Sequence, residues 1–472
     1  MILEGGVSLV KTATIREQLE SYLHEHVMTI NRFADISGVN SGTLSNIING
    51  NRPISMQQLD RITMGMNLPE GSFYDLYIEE CIFHTTPDWR RLGPFLQRCA
   101  ELNRLDCLDK AINLTMDNIS YIPQLFETAE TFFKEGKNEA AILIYKSVAE
   151  SERFQHSERL ALCQYRLFTL GLSDDQDANS QAAVHFEPFV DRLEERYQLD
   201  ALVKLLNVFI SLARWKKVDT ISEKLCDKAK ILYKLKKGHP TLTAGLGPKN
   251  PLIFYILYSY LTQEHSCSER GDHEKALYYL SLYEAPDWIN PVTIDERKIL
   301  DQFHEWSIAN KFQHQLLNGQ IEVLSEYEEF IASRENEVFS AVCNIIIAAN
   351  LYGINVDHIL DRFKEHLTYK EQRYSMLNVN KHVVLNSFTR LQAELGVYYL
   401  NSNNIVKGID YVLESLKYSI IINSNTGMLR SMGLFEKYRH LSSDESQSKY
   451  KKMVNEVHKL NEKKIGLSAS YM

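Results

Sequence analysis

The chain of 472 residues has few cysteines, and their positions match neither a metal site nor a disulfide framework. Seven cysteines are scattered without a Cys-x-x-Cys pair, so we predict buried thiols in a reducing compartment. The closest Cys/His pair in the sequence is Cys267 and His265, and two further ligands are missing nearby. We therefore predict neither a bound metal ion nor another cofactor.

Long apolar runs and an excess of positive charge are also missing. The longest apolar run, Pro251 to Leu261, is shorter than the ~18 residues of a membrane span, and we predict a buried helix there. The first twelve residues lack the charged region and apolar core of a secretion signal. The net charge of −9 argues against a nucleic-acid coat protein or a membrane-surface binder. We expect a cytoplasmic protein whose contacts with DNA, if any, are local.

Catalytic signatures are missing as well. The sequence has no phosphate-binding Gly-x-x-x-x-Gly-Lys-Ser/Thr loop, no Gly-x-Ser-x-Gly, no His-Glu-x-x-His and no dinucleotide glycine fingerprint. Adjacent carboxylates such as Glu194-Glu195 and Glu328-Glu329 fall on predicted solvated helix faces. We therefore predict a binding protein with no catalytic residues.

The stretch from Thr29 to Pro53 has a specific local pattern. Thr29 is a predicted N-cap, and Gly38 suits the left-handed end of a first helix that carries Phe33, Ala34 and Ile36 on one face. Asn40 is a predicted cap for a second helix, with Leu44, Ile47 and Ile48 inward. Ser55 to Gln58 forms a capping box for the helix that follows. The pattern predicts two short helices joined by a tight turn.

This stretch resembles the Cro/repressor-like (Xre-type) helix-turn-helix family from roughly Ile15 to Leu76, through residues that include Phe33-Ala34, Gly38, Thr43-Leu44, Gly50 and Pro53. In that family the second helix of the motif enters the DNA major groove. By position, the resemblance implies that Asn40, Ser41 and Asn46 face base edges. It implies that Thr43, Asn51 and Arg52 lie near phosphates.

The charge of this segment limits its affinity for DNA. Residues 11–66 contain five basic and five acidic residues, so the segment is neutral. Because phosphate neutralisation supplies most DNA affinity, one copy should bind weakly, and two copies on one inverted-repeat site would bind more tightly. The alternative is a helical domain that only packs or docks.

From about Ile119 the chain repeats a pattern of helix, short turn and helix. The offsets from Leu125 to Val148 resemble those of the tetratricopeptide repeat, a helical hairpin of about 34 residues. Further copies fit residues 271–283 and 395–412, and degenerate hairpins fit residues 199–235 and 321–352. Polar or Gly/Pro-rich composition predicts loops at residues 173–180 and 236–251. These patterns predict a right-handed helical solenoid.

The predicted organisation is all-α, with a five-helix helix-turn-helix domain followed by a tetratricopeptide-like solenoid. The expected parts are a disordered tail at residues 1–12, the helix-turn-helix domain at 13–84, linker helices at 85–118, the repeat domain at 119–445, and a C-terminal capping helix and tail at 446–472. We expect the linker helix that begins at Trp89 to pack on the repeat domain. The Gly93-Pro94 pair leaves open that this helix is broken.

Solenoids of this kind bind peptides and protein segments on a concave face. An amide side chain can pair with both the N–H and the C=O of an extended peptide. The candidate peptide-binding residues are polar side chains amid apolar runs: Tyr165, Arg166, Asn207, Asn344, Asn350, Asn386 and Arg390. The bland alternative for each asparagine is a surface or helix-end residue.

The two halves together resemble the RRNPP peptide-pheromone receptors of Gram-positive bacteria. The resemblance implies a cytoplasmic homodimer that binds double-stranded DNA and a short imported peptide, which together would make a peptide-responsive transcription regulator of the quorum-sensing type. One alternative is a repeat protein that sequesters a partner, with the N-terminal domain used for docking or dimerisation. Another is a regulator that senses no peptide.

Overall fold

The computed structural model describes residues 13–83, 88–116, 118–238, 247–289, 293–367 and 381–465. Every regular element in these ranges is helical, which confirms the predicted all-α class. No helix within them is long and apolar enough to cross a membrane. Residues 1–170 and 171–472 form two compact units. The predicted tail at residues 1–12 and residues 239–246 of the predicted 236–251 loop lie outside the described residues, whereas 236–238 belong to the helix that ends at Gly238.

The first unit begins with short helices and continues with two longer hairpin-forming pairs. A six-residue π-helix, Ile78–Phe83, follows its fifth α-helix. Its helices are α1 (Ile15–Glu25), α2 (Ile30–Ser37), α3 (Ser41–Ile48), α4 (Met56–Gly65), α5 (Tyr74–Tyr77), α6 (Trp89–Glu101), α7 (Leu105–Thr115), α8 (Ile122–Lys134), α9 (Asn138–Ser151) and α10 (Glu158–Gly171).

Helix α6 is part of the core of this unit. It runs through Pro94 without a break. The ring of Phe95 lies 5.4 Å from that of Tyr77, and Arg98 Nε donates to Asp60 of α4 at 2.9 Å. Our expectation that this helix packs on the repeat domain omitted its contacts with α4 and with the two buried tyrosines of α5, which need an apolar cover. Helix α7 contacts both the π-helix and α9, so the region predicted as a linker is packed on both sides.

The second unit consists of α11 (Gln176–Phe186) followed by six helix pairs. The pairs are α12 (Glu195–Ser211) with α13 (Trp215–Gly238), α14 (Leu252–Glu269) with α15 (His273–Glu284), α16 (Ile294–Leu317) with α17 (Leu324–Ala332), α18 (Glu335–Tyr352) with α19 (Asp357–Arg362), α20 (Lys381–Asn401) with α21 (Ile405–Ile421), and α22 (Asn425–Tyr438) with α23 (Asp444–Ile465). This arrangement of repeated pairs is a helical solenoid.

The turns inside these pairs share one backbone feature. A residue with positive φ follows the first helix in five consecutive pairs: Ala213, Gly271, Gly319, Gly353 and Asn403. Left-handed backbone at a helix end lets the next N–H groups bond to the last free carbonyls. Glycine and asparagine, which occupy four of the five positions, adopt this conformation at low cost.

The first helices of the pairs form an inner layer. Each of α12, α14, α16, α18 and α20 contacts the first helix of the next pair, and α12 also contacts α20. The inner layer of this unit therefore closes on itself. Helix α14 lies deep in it and is buried on nearly all sides, which confirms the predicted buried helix over Pro251 to Leu261.

Three local predictions need correction. Residues 173–180 are not a continuous loop, because Asp175 caps α11 by accepting two backbone N–H groups at 2.9 Å each. Ile36 is 50% exposed whereas Phe33 is fully buried, so the two do not share one face of α2 as predicted. Among the cysteines, Cys343 is partly exposed and the other six are buried.

Candidate functional sites

The turn between α2 and α3 is built by the caps that the sequence predicts. The Thr29 hydroxyl accepts the N–H of Arg32 at 3.3 Å, and Gly38 ends α2 with a φ of 68°. Oδ1 of Asn40 accepts two backbone N–H groups from the first turn of α3, at 2.9 and 3.4 Å. These three predictions are confirmed. Because that oxygen is used as a cap, Asn40 has only its Nδ2 group left for another partner.

A close helix crossing fixes α2 against α4. A side chain at Gly65 would place its Cβ 2.8 Å from Cβ of Ser37 and 3.0 Å from the ring of Phe33, so only glycine fits. Nη1 of Arg61 donates to the carbonyl of Gly38 at 3.0 Å and ties the turn to α4. These contacts fix α2 and the turn before α3 against α4.

The outer face of α3 is polar and accessible. Leu44 and Ile47 are buried beneath it at 1% and 0% exposure. Asn46 is exposed, and its side chain makes no hydrogen bond within the described part of the chain. Its carbonyl accepts the N–H groups of Asn51 and Arg52 at 2.9 and 3.2 Å, which shapes the loop after the helix. The other predicted residues, Ser41 and Thr43, are partly exposed.

The exposed charges near α3 include both signs. Asp60 is paired with Arg98 of α6 at 2.9 Å. Arg32 and Asp35 of α2 are both exposed, and neither joins an ion pair among the described residues. Arg52, in the loop directly after α3, is exposed and also joins no ion pair there, so its guanidinium is available to a phosphate.

The second unit contains a cavity of about 980 Å³. Its wall is formed by α11 and the inner-layer helices α12, α14, α16, α18, α20 and α22. This volume is at the upper end of the ~300–1,000 Å³ typical of small-molecule sites. The predicted residues Asn207, Asn344, Asn386 and Arg390 all line it.

The other three predicted residues do not line the cavity. Nδ2 of Asn350 donates to the carbonyl and side chain of Glu394, at 3.0 and 3.1 Å. Tyr165 and Arg166 belong to the first unit. Tyr165 is 3% exposed, because its position on the helix faces the core.

Arg166 belongs to a partly buried network with Glu130 and Tyr145. It donates twice to the Glu130 carboxylate, at 2.8 and 2.9 Å, and the Tyr145 hydroxyl donates to the same group at 2.6 Å. Burial raises the pKa of Glu130, but these donors outweigh it and lower that pKa overall. Arg166 therefore stabilises a helix contact inside the first unit.

The amides on the cavity wall differ in how much bonding capacity remains. Oδ1 of Asn207 accepts the Tyr258 hydroxyl at 2.5 Å, which leaves its Nδ2 group to donate. Nδ2 of Asn344 donates to Gln313 at 2.9 Å. Amides held at one end by a neighbour are oriented and can still bind at the other end.

A polar seam closes the inner layer of this unit. Asn386 accepts from Nε2 of Gln176 at 2.8 Å and donates to the carbonyl of Ser211 at 3.0 Å. The backbone N–H of Gln176 donates to the Ile422 carbonyl at 2.9 Å. Nδ2 of Asn423 donates to the carboxylate of Asp175, the N-cap of α11, at 2.9 Å. Both ends of the Asn386 amide are used here, so it joins helices in this state. We call these contacts the seam.

Charged side chains on the wall occur in pairs. Nη1 of Arg390 donates to Glu269 at 2.8 Å, and Nη2 of Arg430 donates to Glu394 at 2.7 Å. Burial raises the pKa of Glu269, but His265 and Arg390 outweigh it and lower that pKa, so the carboxylate is charged at neutral pH. Two ion pairs therefore share one cavity.

A further carboxylate lies in the wall with its own partners. Glu264 is 2% exposed, its Oε1 lies 2.5 Å from Nε2 of His314, and its Oε2 accepts from Asn310 at 3.2 Å. Sequence reasoning missed Glu264, Gln176 and Arg430. Arg390 and Glu394 are four residues apart on α20, and this helical spacing was the one available signal for the charged part of the wall.

Comparison with known proteins finds no family model that matches this chain and no similar curated protein. A solved structure described as a "Circular tandem repeat protein with novel repeat topology and enhanced subunit contact surfaces" aligns over 94% of this chain and 90% of its own, at 11% identity and a TM-score of 0.16. At this TM-score the likeness carries no argument about fold or function.

Proposed function

We propose that this protein is a transcription regulator that binds DNA through α3 and binds a short peptide in the cavity of the second unit. The observation that carries the proposal is a pair of separate surfaces in one chain. One is a capped short helix with an accessible polar face; the other is an amide- and arginine-lined cavity. Neither surface implies the other. A chain that has both can couple ligand binding to DNA binding, as a sensor does.

The DNA half of the proposal rests on the groups that α3 offers. Asn46 is exposed with an uncommitted amide, and an amide can pair with adenine through two hydrogen bonds. Thr43, Asn51 and Arg52 lie at the ends of the same helix, where phosphate contacts fix the register of a recognition helix. A homodimer on an inverted repeat supplies the affinity that one nearly neutral domain lacks.

The peptide half rests on the cavity. A peptide that binds one arrangement of the inner layer better than another shifts the population between them, and only such differential affinity can change DNA binding. The seam is a place where two arrangements can differ, because it consists of hydrogen bonds between segments far apart in sequence. A cytoplasmic location fits this role.

The test is in vitro selection of random duplex DNA by the full chain, at about 50 mM and about 200 mM salt, a range over which phosphate-driven binding falls steeply. We expect an enriched inverted repeat that Asn46→Ala no longer selects. Asn113→Ala is the matched control, because Asn113 is an exposed asparagine whose bond to Asp109 lies on α7. If nothing is enriched at either salt, with or without peptides concentrated from culture supernatant, the DNA half is wrong.

A second candidate function is capture of a partner protein by the solenoid, with the N-terminal domain used for docking. The near-neutral charge of residues 11–66 favours it. The double variant Asn46→Ala with Arg52→Ala separates the two candidates. Loss of promoter control with intact partner binding supports the DNA-binding function, and loss of partner binding supports the docking function.

A further inference from the structure

Two arginines present unused hydrogen-bond donors to the cavity. The side chains of Arg390 and Arg430 are 42% and 41% exposed, whereas those of their partners Glu269 and Glu394 are 21% and 11% exposed. Each arginine donates one N–H to its carboxylate and makes no other hydrogen bond within the described residues. A guanidinium has five N–H donors, so most of the capacity of both groups remains for a ligand.

The two ion pairs form one alternating chain across three helices. Glu269 of α14 holds Arg390 of α20, and Glu394 lies one turn further along α20 and holds Arg430 of α22. Glu394 is in turn fixed from behind by Nδ2 of Asn350 at 3.1 Å. Each carboxylate therefore serves as an anchor that orients a guanidinium before any ligand arrives.

The two ion pairs favour an anionic ligand over a cationic one. A carboxylate can add to the spare N–H groups of Arg390 or Arg430 in a bidentate pair and leave the existing ion pairs intact. A cation would have to displace an arginine from Glu269 or Glu394, and this would leave the arginine without its partner. The carboxylates are also the more buried members, so the guanidinium groups are the first charges that a ligand meets.

The formal charge of the whole wall is negative, which disfavours an anionic ligand. The lining includes four acids (Asp177, Glu264, Glu269 and Glu394) and three arginines (Arg214, Arg390 and Arg430). Glu264 is withdrawn, since it is 2% exposed and bonded by His314 and Asn310. The spare N–H groups of Arg390 and Arg430 can reach a bound carboxylate at hydrogen-bonding distance. The one excess negative charge of the wall acts from further away, where screening weakens it.

We propose that Arg390 and Arg430 bind a carboxylate of the ligand and thereby select acidic or free-C-terminal peptides. This inference rests on the proposed peptide function and names the chemistry of the ligand group. Two oxygens of a tetrahedral phosphate can also accept from one guanidinium in a bidentate pair, so a small inorganic anion is the other source of that chemistry.

The experiment is affinity selection by the full chain from three synthetic hexapeptide libraries, read by mass spectrometry. The first has free C-termini and contains no Asp or Glu, the second is the same library amidated, and the third is amidated with Asp and Glu included. A fourth arm measures the midpoint of thermal unfolding in inorganic phosphate against chloride at equal ionic strength. The variants are Arg390→Gln, Arg390→Lys and Arg430→Gln.

Arg270→Gln is the matched control, because Arg270 pairs with Asp219 at 3.0 Å on the same unit and does not line the cavity. We expect peptides from the first or third library to be retained and those from the second to be lost. Retention should fall about tenfold or more in Arg390→Gln and Arg430→Gln, the loss expected for one charge-assisted bond. Arg390→Lys keeps the charge but loses the fork and should fall in between.

Equal retention of the second library, or retention unchanged in both glutamine variants, would overturn the inference. If no library is retained but phosphate stabilises the wild type and not the glutamine variants, the carboxylate-type site stands and the peptide function fails. If neither peptides nor phosphate bind, both proposals fail. The first library retained over the third assigns the peptide C-terminus, and the reverse assigns an acidic side chain.

Discussion

Gly408→Ala tests how closely the last repeats pack. A Cβ at Gly408 would lie 2.7 Å from Cγ of Leu400 and 2.9 Å from its backbone nitrogen. Rotating the leucine side chain relieves the first contact but not the second, so α20 and α21 must move apart. Such overpacking costs about 1–3 kcal/mol. Replacing a helical glycine by alanine gains about 1 kcal/mol in helix propensity, which offsets part of that cost.

Gly433→Ala isolates the clash from the propensity. Gly433 lies in α22, and a Cβ added there would meet no neighbouring atom within 4 Å, so the substitution brings only the propensity gain. The difference between the two variants should therefore equal the clash, about 1–3 kcal/mol. Because 1 kcal/mol moves the thermal midpoint by about 2–4 °C in domains of a few hundred residues, the midpoints should differ by at least about 2 °C.

The assay is thermal unfolding of both variants and the wild type, followed by far-UV circular dichroism and by calorimetry. We expect Gly433→Ala to unfold at or above the wild-type midpoint and Gly408→Ala to unfold below that of Gly433→Ala. If the two midpoints coincide, the close approach of α20 and α21 described above is wrong. A Gly408→Ala midpoint above both others would refute the reasoning more strongly.

Three further predictions concern other parts of the molecule. Asn46→Ala should weaken binding to the selected operator by about 1–3 kcal/mol, whereas Arg52→Ala should weaken all duplexes alike and lower the salt dependence, as titrations at several salt concentrations will measure. Arg166→Ala should destabilise the protein by about 3 kcal/mol at neutral pH, the lower end for a broken buried pair, because Glu130 is 15% exposed and keeps only the Tyr145 hydroxyl as a donor. Because the pKa of Glu130 is lowered in the folded protein, its carboxylate stabilises the fold above the unfolded pKa of about 4.3, and this stabilisation is lost on acidification. The difference in free energy of unfolding between wild type and Arg166→Ala should therefore shrink below that pH. Denaturant titrations that give the same difference at pH 7 and pH 4 would contradict this. Asn386→Leu removes both side-chain hydrogen bonds of the seam residue Asn386 and should speed alkylation of Cys343. Cys343 is the partly exposed cysteine on the cavity wall, and burial raises the pKa of its thiol to about 11. An unchanged alkylation rate would mean that the seam does not control access to the cavity.

The features that the sequence predicted well are decided by neighbouring residues. The caps at Thr29 and Asn40, the capping box at Ser55 and the left-handed end of α2 at Gly38 each depend on a few consecutive positions. Their physics is the satisfaction of free N–H and C=O groups at helix ends, which the residue types reveal directly. The pairing was predicted less well, because the hairpin expected over residues 321–352 joins α17 and α18, which belong to two different pairs.

The features that the sequence did not predict depend on contacts across long separations. Asn386 bonds to Gln176, 210 positions away, and nothing near either residue indicates this partner. Arg166 and Arg390 carry the same charge. Arg166 pairs with Glu130 inside the first unit, whereas Arg390 lines the cavity of the second unit. Polar residues amid apolar runs therefore marked buried or inner positions correctly but did not identify which of them share a site.

The central claim is that occupancy of the cavity changes DNA binding. The most direct measurement is the dissociation constant of the full chain for its selected operator, without peptide and at saturating peptide taken from the library selection. A coupling of about 1–3 kcal/mol, or roughly 5–150-fold in affinity, is the expected range. Arg390→Gln should need about tenfold or more peptide to reach the same change, the factor expected for the loss of one charge-assisted bond. An operator affinity that stays the same at saturating peptide would contradict the account.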